Sequence, residues 1–288
     1  MLEFPNCKIN LGLQVIAKRP DGYHNLATIF YPIAWKDALE ITPIDAYHEA
    51  TRSAHMHHQQ IDALHLYTSG LPVAGDPANN LCVKAWQLLR KDFPTLPPVQ
   101  IFLHKAIPSG AGLGGGSADG AFMLRMLNEQ FQLQLTQQQL LAYALQLGSD
   151  CPFFILNTPA YATGRGEVLT PISIPQLEHC KWYIINPGIH IPTGWAFAQL
   201  QPKPTDIELT KAIEAPITTW RDSIVNDFQA AVAKHYPQIQ QIIDQLYEHG
   251  ALYAAMSGSG STVYGIYPQG ATPPTLSLAD SYLQQWID

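Results

Sequence analysis

Five glycines fall within seven residues of Pro108-Ser109-Gly110-Ala111-Gly112-Leu113-Gly114-Gly115-Gly116-Ser117, between a strand-like and a helix-like segment. Glycine lets a backbone approach a ligand closely with positive φ, and a helix N-terminus offers unpaired N–H groups and the positive end of a dipole. That combination is a phosphate cradle rather than a mere connector. No lysine follows the glycines, which excludes a Walker loop. Gly110, Gly112 and Gly115 also satisfy G-x-G-x-x-G, but no βαβ series precedes them and no well-placed acidic residue closes the next strand.

Asp150 lies in Gly148-Ser149-Asp150-Cys151-Pro152-Phe153-Phe154, after a helical pattern and before what reads as an extended step into proline. A rigidly held carboxylate there suits a group that meets a substrate hydroxyl; an ordinary helix-ending turn is the alternative. Lys8 and Asn10 alternate in an apolar strand and so share a face, as a site pair or as solvated edge residues. Asp21-Gly22-Tyr23-His24 follows a turn, where an aromatic ring beside an imidazole could stack on a base and bond its edge, or could simply be a surface loop. Met256-Ser257-Gly258-Ser259-Gly260-Ser261 reads equally as a second anion-contacting turn or a tight β connection.

The elements that must position these residues follow from periodicity. Ile9–Ile16, Leu26–Ile33 and Leu39–Ile41 predict an antiparallel β layer. Asp76 and Pro77 open a helix over about Asn79–Lys91, and Val99–Leu103 is a strand before the glycines. Helices are predicted at Gly115–Asn128 and at Thr136–Leu147, the latter with Gln139 completing a capping box. After a composition shift near Asn157–Gly166, a second α+β half holds strands Lys181–Ile185, Ala251–Ala255 and Thr262–Tyr267. Its helices are predicted at Asp222–Lys234, Pro237–Glu248 and Leu276–Trp286.

The 288 residues allow one large or two ordinary domains, and the reading places them at 1–156 and 157–288. A net charge of −7 repels polyanions, so nucleic acid is not the expected partner. Cys7, Cys82, Cys151 and Cys180 suit neither a paired zinc pattern nor a disulfide scaffold and fit a reducing cytoplasm. The opening MLEFPNCKIN does not read as a secretory signal, and the charge-free run Gln130–Ser149 is too rich in Gln for a bilayer, so no membrane is expected.

Taken together and in this order, Pro5–Asn10, Pro108–Ser117 and Ser257–Gly260 resemble the three blocks of the superfamily that contains galactokinase, homoserine kinase, mevalonate kinase and phosphomevalonate kinase. Arg19–His24, Leu147–Phe154 and Asn186-Pro187-Gly188 running to Ile191-Pro192-Thr193 narrow the resemblance to the branch acting on diphosphocytidyl methylerythritol. The resemblance covers about Pro5 to Tyr267. It implies an α+β, two-lobed fold: an N-terminal α/β domain of the ribosomal-protein-S5 type, which binds ATP, and a C-terminal ferredoxin-like domain, with the active site between them. It also implies the reaction, in which ATP with Mg²⁺ phosphorylates the substrate's 2-hydroxyl in the non-mevalonate route to isoprenoid precursors.

By position, the resemblance makes Asp150 the base and Lys8 its charged partner, with Asn10 near the reacting polyol. Tyr23 and His24 hold the cytosine with Phe197 as a second wall; Lys105 and Asn80 lie on the adenine side of ATP, and Ser117 reaches the metal. Three departures stand out. Ala118 replaces a second serine, Asp119 stands where Asn is usual, and Tyr47–Gln60 matches poorly and carries His48, His55, His57 and His58, which read as a solvated loop or edge strand rather than a metal site. The implied partner is a small molecule, with the chain a monomer or homodimer. Another small-alcohol kinase, a non-catalytic nucleotide sensor on the same fold and a dinucleotide-binding oxidoreductase are the competing readings.

Overall fold

The computed structural model describes residues 1–44, 56–73, 75–203 and 207–288. Its strands are β1 (Leu2–Glu3), β2 (Asn6–Lys18), β3 (His24–Lys36), β4 (Ala38–Pro43), β5 (His57–Ile61), β6 (Leu64–Gly70), β7 (Val99–Lys105), β8 (Ala160–Thr163), β9 (Val168–Pro171), β10 (Lys181–Asn186), β11 (Tyr253–Met256), β12 (Val263–Tyr267) and β13 (Leu283–Ile287). Its α-helices are α1 (Leu81–Asp92), α2 (Gly115–Gln130), α3 (Gln137–Leu147), α4 (Cys151–Leu156), α5 (Thr193–Ala198), α6 (Leu209–Ala212), α7 (Asp227–His235) and α8 (Gln238–Glu248). The chain divides into two compact units that are not consecutive in sequence: one of residues 1–7, 34–109 and 114–157, the other of 8–33, 110–113 and 158–288.

The first unit holds a mixed sheet in the order β1-β4-β7-β6-β5, with β7 antiparallel to β4 and parallel to β6. Helices α1 to α4 pack on one another, and α2 reaches β4. Leu81, Ala85 and Leu89 recur at helical spacing, and Asn80, not Asp76, caps α1, its Oδ1 accepting from Cys82 N at 2.9 Å. Asp76 and Pro77 instead open a short 3-10 turn, Pro77–Asn79, just before it. The capping box at Thr136 and Gln139 is present as predicted.

The second unit holds two four-stranded sheets, β2-β3-β8-β9 and β11-β12-β10-β13. Its core gathers Leu13, Val15, Ile185, Phe228, Ile242, Leu246 and Met256. Two expectations are corrected here. The helix predicted over Leu276–Trp286 is strand β13, antiparallel to β10 with Tyr183 opposite Trp286. Apolar residues spaced at 276, 278, 282 and 286 satisfy a helical face, but β10 would otherwise present a bare edge, and Gln284 accepts the Tyr183 hydroxyl at 2.5 Å. The helix predicted from Asp222 begins at Asp227, because Asn226 caps it by accepting from Phe228 N at 3.0 Å.

His57 and His58 lie on β5, at the edge of its sheet, with His58 Nε2 3.0 Å from His65 Nδ1. His48 and His55 fall outside the described residues.

Candidate active site

In the first unit, the N-terminus of α2 is unobstructed: Gly114 caps it in the left-handed region (φ 70°) and no side chain caps it. Gly110 and Gly112 also have positive φ, 66° and 82°. Gly115 does not, and the constraint on a side chain there is packing: a Cβ would lie 2.9 Å from Ile107 and 3.4 Å from Lys105 Nζ. At Gly116 a Cβ would meet nothing within 4 Å.

Beside this helix end, a cleft of about 480 Å³ is lined by Asn80, Leu81, Leu103, Lys105, Ser109, Gly116 and Asp119, among others. That volume suits a small-molecule ligand. Leu66, Leu81 and Leu103 supply apolar wall, and Ser109 with Gly116 supplies the end where backbone donors are available.

Lys105 is 2% exposed, and its Nζ donates to Asp37 and, at 2.7 Å, to Asp119. The other Asp37 oxygen accepts from Ala106 N (2.6 Å) and Ile107 N (2.8 Å), the residues immediately before the glycine loop. One ammonium thus serves two buried carboxylates. Burial, reinforced by Asp37 and opposed by Lys105, pushes Asp119 up to about 7.

A carboxyl that binds its proton more tightly folded than unfolded contributes stability at low pH that is lost as pH rises through the folded value. Asp119→Asn should therefore gain thermal stability relative to wild type as pH rises from 5 to 8, because Asn carries no charge to expel. Melting curves across that range check it; a constant difference would remove Asp119 as a titrating group.

Asp150 is half-buried. The step after it is not extended, as the proline suggested: Asp150 itself has helical dihedrals (φ −84°, ψ −17°) and Pro152 occupies the first turn of α4. A missing N–H costs nothing there, so proline fits. Burial pushes the neighbouring Cys151 thiol up to about 12, with Ser117, in the first turn of α2, pulling the other way. Helix α4, which Asp150 precedes, packs on α2.

In the second unit, Lys8 is 3% exposed, not a solvated edge residue. Its Nζ donates to Asn10 Oδ1 at 2.7 Å and to Gly112 O at 3.2 Å, and lies 4.9 Å over the Phe30 ring. Ser257 Oγ donates to Gly112 O at 2.8 Å and accepts from Asn10 N at 3.2 Å. Asn226 Nδ2 holds Met256 O at 2.7 Å and Gly258 O at 2.8 Å. The C-terminal glycine turn is thus a brace for residues 110–113, between the two roles its sequence left open. Asn226 was not singled out in the sequence, although an Asn-Asp pair before an apolar helix is a cap signal.

Tyr23 is 53% exposed, with the Arg165 guanidinium 4.7 Å from its ring. His24 stacks on Phe197 at 4.4 Å and 12°, and Phe197 meets Phe228 edge-on at 4.9 Å. Burial, then Lys18, lowers the His24 pKa, leaving a neutral ring with one donor and one acceptor at neutral pH.

A glycine loop opening a helix beside an apolar cleft is the arrangement of a small-molecule phosphotransferase, and two family models agree. "GHMP kinases N terminal domain" matches residues 80–158 and "GHMP kinases C terminal" matches residues 211–278. A 4-diphosphocytidyl-2-C-methyl-D-erythritol kinase of Bacteroides fragilis (strain YCH46) is 48% identical over 93% of this chain and 92% of its own. A namesake from Cytophaga hutchinsonii is 43% identical over 100% of this chain and 99% of its own. A crystal structure of 4-(cytidine 5'-diphospho)-2C-methyl-D-erythritol kinase is similar with a TM-score of 0.75 at 29% identity, covering 92% of this chain and 90% of that one. The mevalonate kinase of Methanococcus jannaschii shares the fold, with a TM-score of 0.65 at 14% identity. The chain belongs to the 4-diphosphocytidyl-2-C-methyl-D-erythritol kinases of the GHMP superfamily. Both the α+β fold expected and the family resemblance drawn from the motifs are thereby borne out. The family is ATP-dependent.

Proposed function

We propose that this protein transfers the γ-phosphoryl group of ATP to the 2-hydroxyl of diphosphocytidyl methylerythritol in a reducing cytoplasm. The observation that carries this is the open N-terminus of α2 beside the cleft of the first unit. The adenosine lies along the leucine wall near Asn80 and Lys105, and the triphosphate meets the backbone of Gly110–Ser117. Asp150 takes the proton leaving the acceptor hydroxyl, and Lys8 supplies positive charge to the transferring group, with Asn10 fixing the lysine's direction. Mg²⁺, when bound, neutralises charge on the phosphates. Ser117 is the hydroxyl that would hold it.

The test is ATP consumption against diphosphocytidyl methylerythritol, homoserine and mevalonate in parallel, with turnover on the first alone expected. Turnover on another alcohol alone would replace the proposed acceptor.

Cytosine recognition is assigned to Tyr23, His24 and Phe197. An aromatic face gives affinity to any base, whereas a polar contact at the base edge separates cytosine from uracil. Tyr23→Ala should weaken cytidine and uridine forms of the substrate alike, while His24→Ala should chiefly erode the preference between them. The readout is kcat/KM for both analogues, and an unaltered ratio in His24→Ala would withdraw that residue as the base reader.

A further inference from the structure

Two polar side chains in the cleft are left without partners by the fold. His57 and Thr68 both line it, and among the described residues neither side chain makes a hydrogen bond. Both can be reached, since His57 is exposed and Thr68 half-buried. They stand directly opposite each other where β5 pairs with β6, and Thr68 in turn stands beside Leu103 on β7. Side chains in that relation have Cβ atoms about 5 Å apart, close enough to meet one ligand edge together. The reverse face of the sheet accounts for the direction of His57. There His58 stacks on Tyr67 at 4.5 Å, lies 3.0 Å from His65 between ring nitrogens, and Tyr67 stacks on Phe102 at 4.7 Å. Side chains alternate along a strand, so this aromatic ladder on one face holds His57 on the other.

We propose that His57 and Thr68 are the base readers of the nucleotide site, hydrogen-bonding the adenine edge that carries the 6-amino group. The inference rests on the reading of this cleft as the ATP site. Leu66, Leu81 and Leu103 give a base its apolar wall, and a mostly apolar pocket takes its specificity from the few polar groups placed in it. Position separates the pair from the phosphates: the glycine loop follows β7, whereas β5 lies two strands away, about 10 Å across the sheet. Gln59 also lines the cleft, but it stands opposite Leu66, one row further from Lys105. The adenine edge offers a donor, the 6-amino group, beside an acceptor, ring N1 or N7. An imidazole has at least one N–H in every protonation state and a hydroxyl accepts as well as donates. His57 therefore donates to the ring nitrogen, and Thr68 Oγ1 accepts from the amine.

The experiment measures KM and kcat for ATP, purine riboside triphosphate, 1-deaza-ATP and 7-deaza-ATP in wild type, Thr68→Val, Thr68→Ser and His57→Phe. Purine riboside triphosphate lacks the 6-amino group, and each deaza analogue lacks one ring nitrogen. The wild type should lose roughly 3- to 10-fold in kcat/KM with purine riboside triphosphate and with one deaza analogue, the scale of a neutral hydrogen bond. Thr68→Val keeps the branched shape and should erase the first penalty, whereas Thr68→Ser keeps the hydroxyl and should retain it. His57→Phe keeps a flat ring and should erase the second. In each case the KM for ATP rises by the factor erased and kcat changes little, and the deaza analogue that is penalised identifies the ring nitrogen read. Penalties that persist in both variants, or none in the wild type, overturn the inference, and a penalty erased in one variant alone overturns the pairing. His57 is exposed, so its variant decides the matter if Thr68→Val does not fold. Absence of any ATP binding to the wild type by calorimetry would instead overturn the reading of the cleft.

Discussion

Asp150→Asn is expected to leave ATP affinity within a few-fold of wild type while lowering kcat by roughly 10²–10⁴, the range for loss of a general base. The substitution keeps the volume and hydrogen-bonding reach of the side chain and removes only its ability to accept the hydroxyl proton. Its backbone should hold, because the residue precedes a helix anchored by Pro152 and by buried Cys151, Phe153 and Phe154. The Cys151 thiol remains protonated through the working pH range, so it does not substitute as a base. Single-turnover measurements at saturating ATP and acceptor separate chemistry from binding. Near-normal turnover would remove Asp150 from the reaction, and loss of ATP binding would make it a nucleotide residue.

How far the sequence discloses this site depends on whether a residue's partners are local. Lys8 and Asn10 share a strand face, and their contact follows from period-two geometry. The glycine loop is legible because its chemistry is carried by composition over ten consecutive residues. Asp37 is not legible: nothing in its local sequence singles it out, and its partner Lys105 lies 68 residues away. Asp119 is visible only as a departure from the family pattern, and its consequence needs the position of Lys105. Strand β13 was missed for a related reason, since a short apolar pattern leaves helix and strand equally open until the edge of β10 is in view.

The glycine loop permits one substitution that separates binding from folding. Gly112 cannot serve, because a Cβ would lie 2.1 Å from Ser257 O on a backbone at φ 82°, and any side chain disturbs the brace itself. Gly115 is compromised by Ile107 at 2.9 Å. Gly116 is exposed, sits in the first turn of α2, lines the cleft and has open space where its Cβ would project. Valine is no worse than glycine in a helix, by up to about 0.5 kcal/mol in its favour, so Gly116→Val should melt within a few degrees of wild type. Its branched side chain nevertheless fills the space over the helix donors that the triphosphate needs. ATP affinity measured by calorimetry should fall by roughly 100-fold or more, comparable to losing a main electrostatic donor set at an anion site. Binding of the cytidine substrate should stay within a few-fold, because its base is assigned to Tyr23, His24 and Phe197 and not to this helix end. A folded Gly116→Val that binds ATP normally would mean that the phosphates do not pass over this helix end.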